Sequence, residues 1–191
     1  MNLGYENFAD LVTADLDIDN LIVIGGVGSG ASAGALTQYL RRKNPAVELV
    51  GPQPFGSITF GSEQYHDPEA IIAGIGSSIQ FDNVRLDMYD AIHWIDFRHA
   101  MSGAVALLRR QAVFAGLSTG AAYLVAQWLT ARDPDRTCLV IGADTGHRYV
   151  ERVFARHREA LDPTTLCPKE ITSLTDLAMP WSAMRWDRRQ W

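Results

Sequence analysis

Four large apolar residues in a row, Leu21-Ile22-Val23-Ile24, run straight into the glycine-rich stretch Gly25 to Ala35. A helical pattern follows through Leu36, Tyr39 and Leu40 to Lys43, where Asn44-Pro45 stops it. An unbroken apolar run of this kind reads as a strand buried on both faces, which is the situation of a parallel sheet. Parallel strands must be joined by crossovers, normally helices. The rest of the chain keeps that alternation. A short amphipathic helix is expected over 5–14, from Tyr5, Phe8, Leu11 and Val12. Val47 to Val50 reads as the second strand, 51–90 as irregular, and Ala91 to Phe97 as the third strand. Met101, Ala104, Val105, Leu108 and Ala112 mark one helix face, and Ala121, Leu124, Val125, Trp128 and Leu129 another. Val113-Phe114 is a short strand candidate, and Thr137 to Ala143 makes the fourth strand. The expected fold is α/β: three layers, α/β/α, around a mostly parallel sheet. Residues 1–154 form this domain. Residues 155–191 break the alternation as a C-terminal extension carrying Trp181, Trp186 and Trp191. The extension either packs on its own domain or docks on a partner, since tryptophan is enriched at interfaces.

At 191 residues with 47% hydrophobic side chains, the chain has enough material for one packed core. A formal charge of −5 and no long basic run argue against nucleic acid. The acidic N-terminal stretch lacks a signal-peptide core, and no apolar run is long enough to span a bilayer, so a cytoplasmic location and no membrane partner are expected. Two cysteines, Cys138 and Cys167, make no disulfide framework. His66, His93, His99, His147 and His157 show no metal-ligand spacing, so no metal is expected. Asp15, Asp17 and Asp19 begin like a calcium loop, but Asn20 and Gly26 stand where its glycine and glutamate belong.

The segment Gly26-Val27-Gly28-Ser29-Gly30-Ala31-Ser32 is where chemistry can sit. The first N–H groups of a helix have no partner within it, and its dipole favours an anion there. Glycines admit a phosphate close to the backbone, and Ser29 and Ser32 add hydroxyl donors. The alternative is a tight turn with no ligand. A dinucleotide fingerprint is weakened because the second strand ends at Gln53, without the acidic residue that holds a ribose. Gly116-Leu117-Ser118-Thr119-Gly120 matches the G-x-S-x-G elbow of hydrolases, with Asp144 and then His147 or His157 following. Asp144 and His147 are too close in sequence for that arrangement. Ser118 or Thr119 capping a helix that begins at Ala121 is the simpler reading.

Taken together, five segments resemble one family in the right order. These are GVGSGAS at 26–32 with the helix ending RRKNPAVELVG, GSITFGS at 56–62, GIGSS at 74–78, GLSTGAA at 116–122 and ADTGHRY at 143–149. They are similar to the phosphate loop and following loops of the cysteine synthase and cystathionine β-synthase family, fold type II enzymes dependent on pyridoxal 5'-phosphate (PLP). The resemblance covers about residues 4–154. It implies that Gly28, Ser29, Gly30, Ala31 and Ser32 cradle the PLP phosphate and that Gly74, Ile75 and Gly76 line the cofactor face. It further implies that Ser118 hydrogen-bonds the pyridine nitrogen and that Asp144 closes the floor of the site. A neutral hydroxyl at that nitrogen suits β-elimination over transamination.

The chain departs from the family pattern at Ala31, usually glycine, and at Glu69-Ala70, usually His-Lys. The family's Schiff-base lysine precedes the phosphate loop, whereas the lysines here are Lys43 and Lys169, neither placed like it. The resemblance therefore implies no catalytic residue in this chain. It implies a subunit of a split enzyme acting by β-elimination or β-replacement on an activated serine-type amino acid. A second chain resembling the family's N-terminal portion would supply the lysine and form a hetero-oligomer. The alternative is a non-catalytic homologue that regulates or scaffolds a relative. An apolar, half-open cleft containing Ile75, Ile79 and Leu117 is the expected mark of the absent cover.

Overall fold

The computed structural model describes residues 3–71 and 74–189. After helix α1 (Leu3–Thr13), strand β1 (Leu21–Gly25) leads into α2 (Ala31–Lys43), β2 (Glu48–Pro54), β3 (Ala91–Ile95), α3 (Phe97–Gln111), α4 (Leu117–Arg132) and β4 (Thr137–Ile141). Two further strands, β5 (Lys169–Ile171) and β6 (Trp181–Arg185), follow a series of short helical turns. All six strands form one sheet in the order β4-β1-β2-β3-β6-β5. Strands β4, β1, β2 and β3 are mutually parallel, β6 runs antiparallel to β3, and β5 runs parallel to β6.

Every residue of β1 is buried, as its unbroken apolar run requires. One face of the sheet packs Leu21, Val23, Leu49, Ile92 and Trp94 against α1, α2 and the segment ending at Tyr89. The other packs Ile22, Ile24, Val50 and Ile95 against α3 and α4. Those two helices cross closely because they meet at glycine. A Cβ on Gly103 would stand 2.0 Å from the Gly120 carbonyl oxygen, and one on Gly120 would stand 2.4 Å from that of Ala100.

The second strand continues past Val50 through Gly51-Pro52-Gln53-Pro54, where the sequence pattern ended it. Two prolines inside an inner strand need an explanation, because each lacks a ladder donor. The Val27 N–H donates to the Pro52 carbonyl (3.2 Å), and within a strand the N and O of one residue point to the same side. The missing N–H of Pro52, and of Pro54 two residues on, therefore faces the space beyond the end of β1, while pairing with β3 persists to Pro54↔Ile95. Helix α4 begins at Leu117, four residues before the expected Ala121. Val113-Phe114 forms no strand; only an isolated bridge joins Ala115 to Thr145.

The C-terminal residues complete the sheet. Trp181 and Trp186 are both 1% exposed, with Trp181 in one core cluster and Trp186 in the other. Trp191 lies outside the described residues. Asp90, at the foot of β3, ties this end together. Its carboxylate accepts from Arg41 (2.6 Å), Arg188 (2.8 Å) and the Leu49 N–H (2.7 Å), joining α2, β2 and the segment after β6. Among the described residues no helix is long and apolar enough to cross a membrane.

Candidate functional site

The parallel strands place the loops after β1 and β4, the first turn of α4 and the loop at 74–77 at one edge of the sheet, the carboxyl edge where open α/β sheets bind ligands. Gly26 to Gly30 turn the chain from β1 into α2. Gly30 takes a left-handed conformation (φ 71°), open to glycine at little cost. The neighbouring loop docks on this turn: the Gly76 N–H donates to the Val27 carbonyl (2.7 Å). A Cβ on Gly28 would stand 2.7 Å from the Gly74 carbonyl oxygen, so the two backbones meet with no room for a side chain. A Cβ on Gly26 would meet Ile75 and the Ser118 Cβ at 3.3 Å. The structure thus gathers Gly28, Gly74, Ile75, Gly76 and Ser118 in one place.

Two helices begin at this site, and they are capped differently. At α4 the Asp144 carboxylate, arriving from the end of β4, accepts from the N–H groups of Ser118 (3.1 Å) and Thr119 (3.2 Å) and from the Thr119 hydroxyl (2.5 Å). Asp144 therefore binds the start of α4 itself, and its two oxygens neutralise that helix's positive end. Gly116 is required beside it, since a Cβ there would stand 2.3 Å from an Asp144 oxygen and from the Tyr149 ring. At α2 no side chain caps the helix. The N–H groups of Gly28, Ser29, Gly30, Ala31, Ser32 and Ala33 donate to no acceptor among the described residues, and neither do the Ser29 and Ser32 hydroxyls. Ser29 and Ala31 are exposed and Gly28, Gly30 and Ser32 half-buried, so these donors are open to a ligand. Of the two helix N-termini, α2 is the one left for an anion.

Ser118 is not a hydrolase nucleophile in this arrangement. His147 Nδ1 is bonded to Thr145 (2.7 Å) and His157 Nδ1 to the Phe154 carbonyl (2.9 Å), and no histidine meets the Ser118 hydroxyl among the described residues. Nor is Ser118 the cap of α4; that role falls to Asp144, twenty-six residues further on. The expected apolar cleft is only partly present. Ile75 and Leu117 are 5% and 4% exposed and fill the space between the loops, while Ile79 remains 60% exposed. No group of metal-ligating side chains occurs among the described residues.

The family described as pyridoxal-phosphate dependent enzyme matches residues 2–142, most of the chain. The chain belongs to that family. Cysteine synthase 3 of Caenorhabditis elegans is 32% identical over 133 residues, 70% of this chain and 38% of the relative. N-(2-amino-2-carboxyethyl)-L-glutamate synthase of Ralstonia nicotianae is 32% identical over 148 residues, 76% of this chain and 42% of the relative. Among solved structures, the O-acetylserine dependent cystathionine beta-synthase of Helicobacter pylori superposes with a TM-score of 0.66 at 27% identity, covering 78% of this chain and 48% of that one. The chain thus spans about half the length of the relatives it matches.

The family's cofactor is pyridoxal phosphate, and the residues present fit it. Its phosphate is a dianion needing several donors in a small arc, which the uncapped start of α2 offers together with Ser29 and Ser32. Ser118 lies beside Gly26, its Cβ 3.3 Å from where a Gly26 Cβ would stand. Neither lysine belongs to this group. Lys43 is paired with Asp10 on α1, and Lys169 donates to the Asp176 carbonyl (2.9 Å) in the C-terminal segment.

Two features were invisible in the sequence. Asp144 as the cap of α4 depends on a contact across 25 residues and more, for which a linear pattern has no signal. Gln53, fully buried beside the loops with both amide atoms unpartnered, looked like the end of a strand.

Proposed function

We propose that this chain is the cofactor-binding part of a PLP enzyme that carries out β-elimination or β-replacement on an activated serine-type amino acid. The observation that carries the reading is the pair of helix starts: α4 closed by Asp144, and α2 left with N–H groups that meet no acceptor among the described residues. Gly28 to Ser32 hold the phosphate through backbone N–H groups and the two serine hydroxyls. Gly74 to Gly76 line one face of the ring, and their close approach to Gly28 fixes the width of the slot. The Ser118 hydroxyl donates to the pyridine nitrogen and leaves it unprotonated, a setting that favours loss of a β-substituent. Asp144 acts one step back by holding the first turn of α4, and with it Ser118, in position. When bound, PLP supplies an electron sink for the bonds at the substrate α-carbon. The names of relatives, a cysteine synthase and an O-acetylserine dependent cystathionine beta-synthase, support an O-acylated serine as the substrate class.

The lysine that carries the cofactor is supplied in this reading by a second chain. Both lysines of this chain are engaged on elements away from the glycine loop, which supports an external source. The test is a fluorescence titration with PLP, in the presence of whatever chain restores activity on O-acetylserine. Saturable binding that Gly28→Val abolishes is expected. Equal binding by the wild type and that variant would overturn the assignment of the loop.

A further inference from the structure

A second recess lies at the opposite edge of the sheet, away from the glycine loops. Here β1, β2 and β3 begin, β6 ends, and the last turns of α4 pass over them without filling the space. The result is a cleft of about 590 Å³, within the range of small-molecule sites. Its floor is apolar, formed by Ile22, Val50, Ala91 and Ala183, with Trp128 and Leu129 of α4 above.

One polar group breaks that floor. His93 is 1% exposed, and its Nδ1 accepts from the Trp181 indole N–H (3.1 Å). A neutral imidazole that accepts at Nδ1 carries its proton at Nε2. Burial pulls the His93 pKa down to about 3, so the ring is neutral at physiological pH. The Nε2–H has no partner among the described residues, while the ring packs edge-on against Trp128. An unpaired donor in an apolar floor calls for an acceptor.

The rim supplies the charge. Arg132 pairs with Glu170, Arg136 with Glu48, and Arg185 with Glu48 and Asp187. Arg189 differs: its guanidinium donates to the carbonyls of Trp186 and Arg185 and meets no carboxylate among the described residues. Asp133, exposed just past the end of α4, is a lining acid with no ion pair among the described residues. The His93 Nε2–H offers a donor to any acceptor, Arg189, which lies over the Trp186 ring at 5.3 Å, adds a positive charge at the rim, and the walls suit a flat apolar body.

We propose that this cleft is a second ligand site, separate from the cofactor loops, for a small carboxylic acid with an aromatic or otherwise flat apolar body. The His93 Nε2–H and Arg189 would receive its carboxylate. This does not depend on the PLP reading.

The probe is 2-naphthylacetate, with neutral 2-naphthylacetamide as its control, titrated by calorimetry into the full chain. The His93 imidazole is followed by nitrogen-detected NMR. The acid should bind with a shift of the His93 Nε2 resonance, and the amide about ten-fold more weakly or worse. Arg189→Gln, an exposed rim change, should weaken the acid by a similar factor. His93→Phe should do the same, and Asp133→Asn should leave affinity unchanged or raise it. Saturating PLP should not displace the probe. Equal binding of acid and amide, indifference to Arg189→Gln, weaker binding on Asp133→Asn, competition with PLP, or no binding at millimolar probe would each overturn the proposal.

Discussion

At the scale of single residues, the proposed phosphate loop is defined as much by what is missing as by what is present. Ser32→Ala removes one hydrogen bond to a charged group, worth about 1.5–3 kcal/mol. PLP affinity should fall about ten-fold or more in a fluorescence titration, with the melting temperature unchanged because Ser32 has no hydrogen-bond partner among the described residues. Asp144→Ala should act in the opposite manner. It strips the cap from Ser118 and Thr119 and should cost about 1–2 kcal/mol in urea denaturation. His93 gives a pH dependence with a definite sign. Burial lowers its pKa to about 3 from an ordinary value of 6.5. Between those values the unfolded chain takes up a proton that the folded chain refuses. The stability due to neutral His93 is complete above 6.5 and is lost as pH falls toward 3, with a slope approaching about 1.4 kcal/mol per pH unit. Urea denaturation at pH 7 and pH 5 should show that slope in the wild type and a smaller one in His93→Phe.

At the scale of elements, the handover from β1 to α2 was the most legible part of the chain, because Leu21 to Ile24 has one plausible environment and the glycines mark its end. The parallel architecture followed from the same alternation. Three features were not legible, each for a physical reason. The prolines of β2 are allowed only because β1 has already ended, a fact of register that local propensity does not contain. The start of α4 is set by a distant carboxylate, so Gly116-Leu117 gave no capping signal of its own. Strands β5 and β6 are short; β6 is buried by pairing with β3, and β5, mostly exposed, pairs only with β6, so neither shows a period in its own residues. Since β6 lies between β3 and β5, truncation after Pro180 removes an inner strand along with Trp181 and Trp186. The shortened chain should lose cooperative unfolding by circular dichroism. Retention of a sharp transition would show that the tail is peripheral.

At the scale of the whole molecule, the sheet separates two edges with different chemistry. The carboxyl edge gathers the glycine loops, a helix start without a side-chain cap, and Ser118. The opposite edge holds the Asp90 network and the cleft around His93. Of the candidate site, Gly28 to Ser32, Gly74 to Gly76 and Ser118 were legible in the sequence through their order and resemblance, and the structure brings them together. Asp144 was legible as a neighbour, but its bond to α4 was not. In the proposed function this arrangement grips a phosphate and positions a ring, while the lysines of this chain are committed to Asp10 and to the Asp176 carbonyl. The proposal is that this chain holds the cofactor and another chain supplies the amine. The most direct measurement is borohydride reduction of the active assembly, followed by proteolysis and mass spectrometry of the pyridoxyl-labelled peptide. The label should fall on a lysine of the second chain, with none on this one. A pyridoxyl group on Lys43 or Lys169 in proportion to lost activity would contradict it.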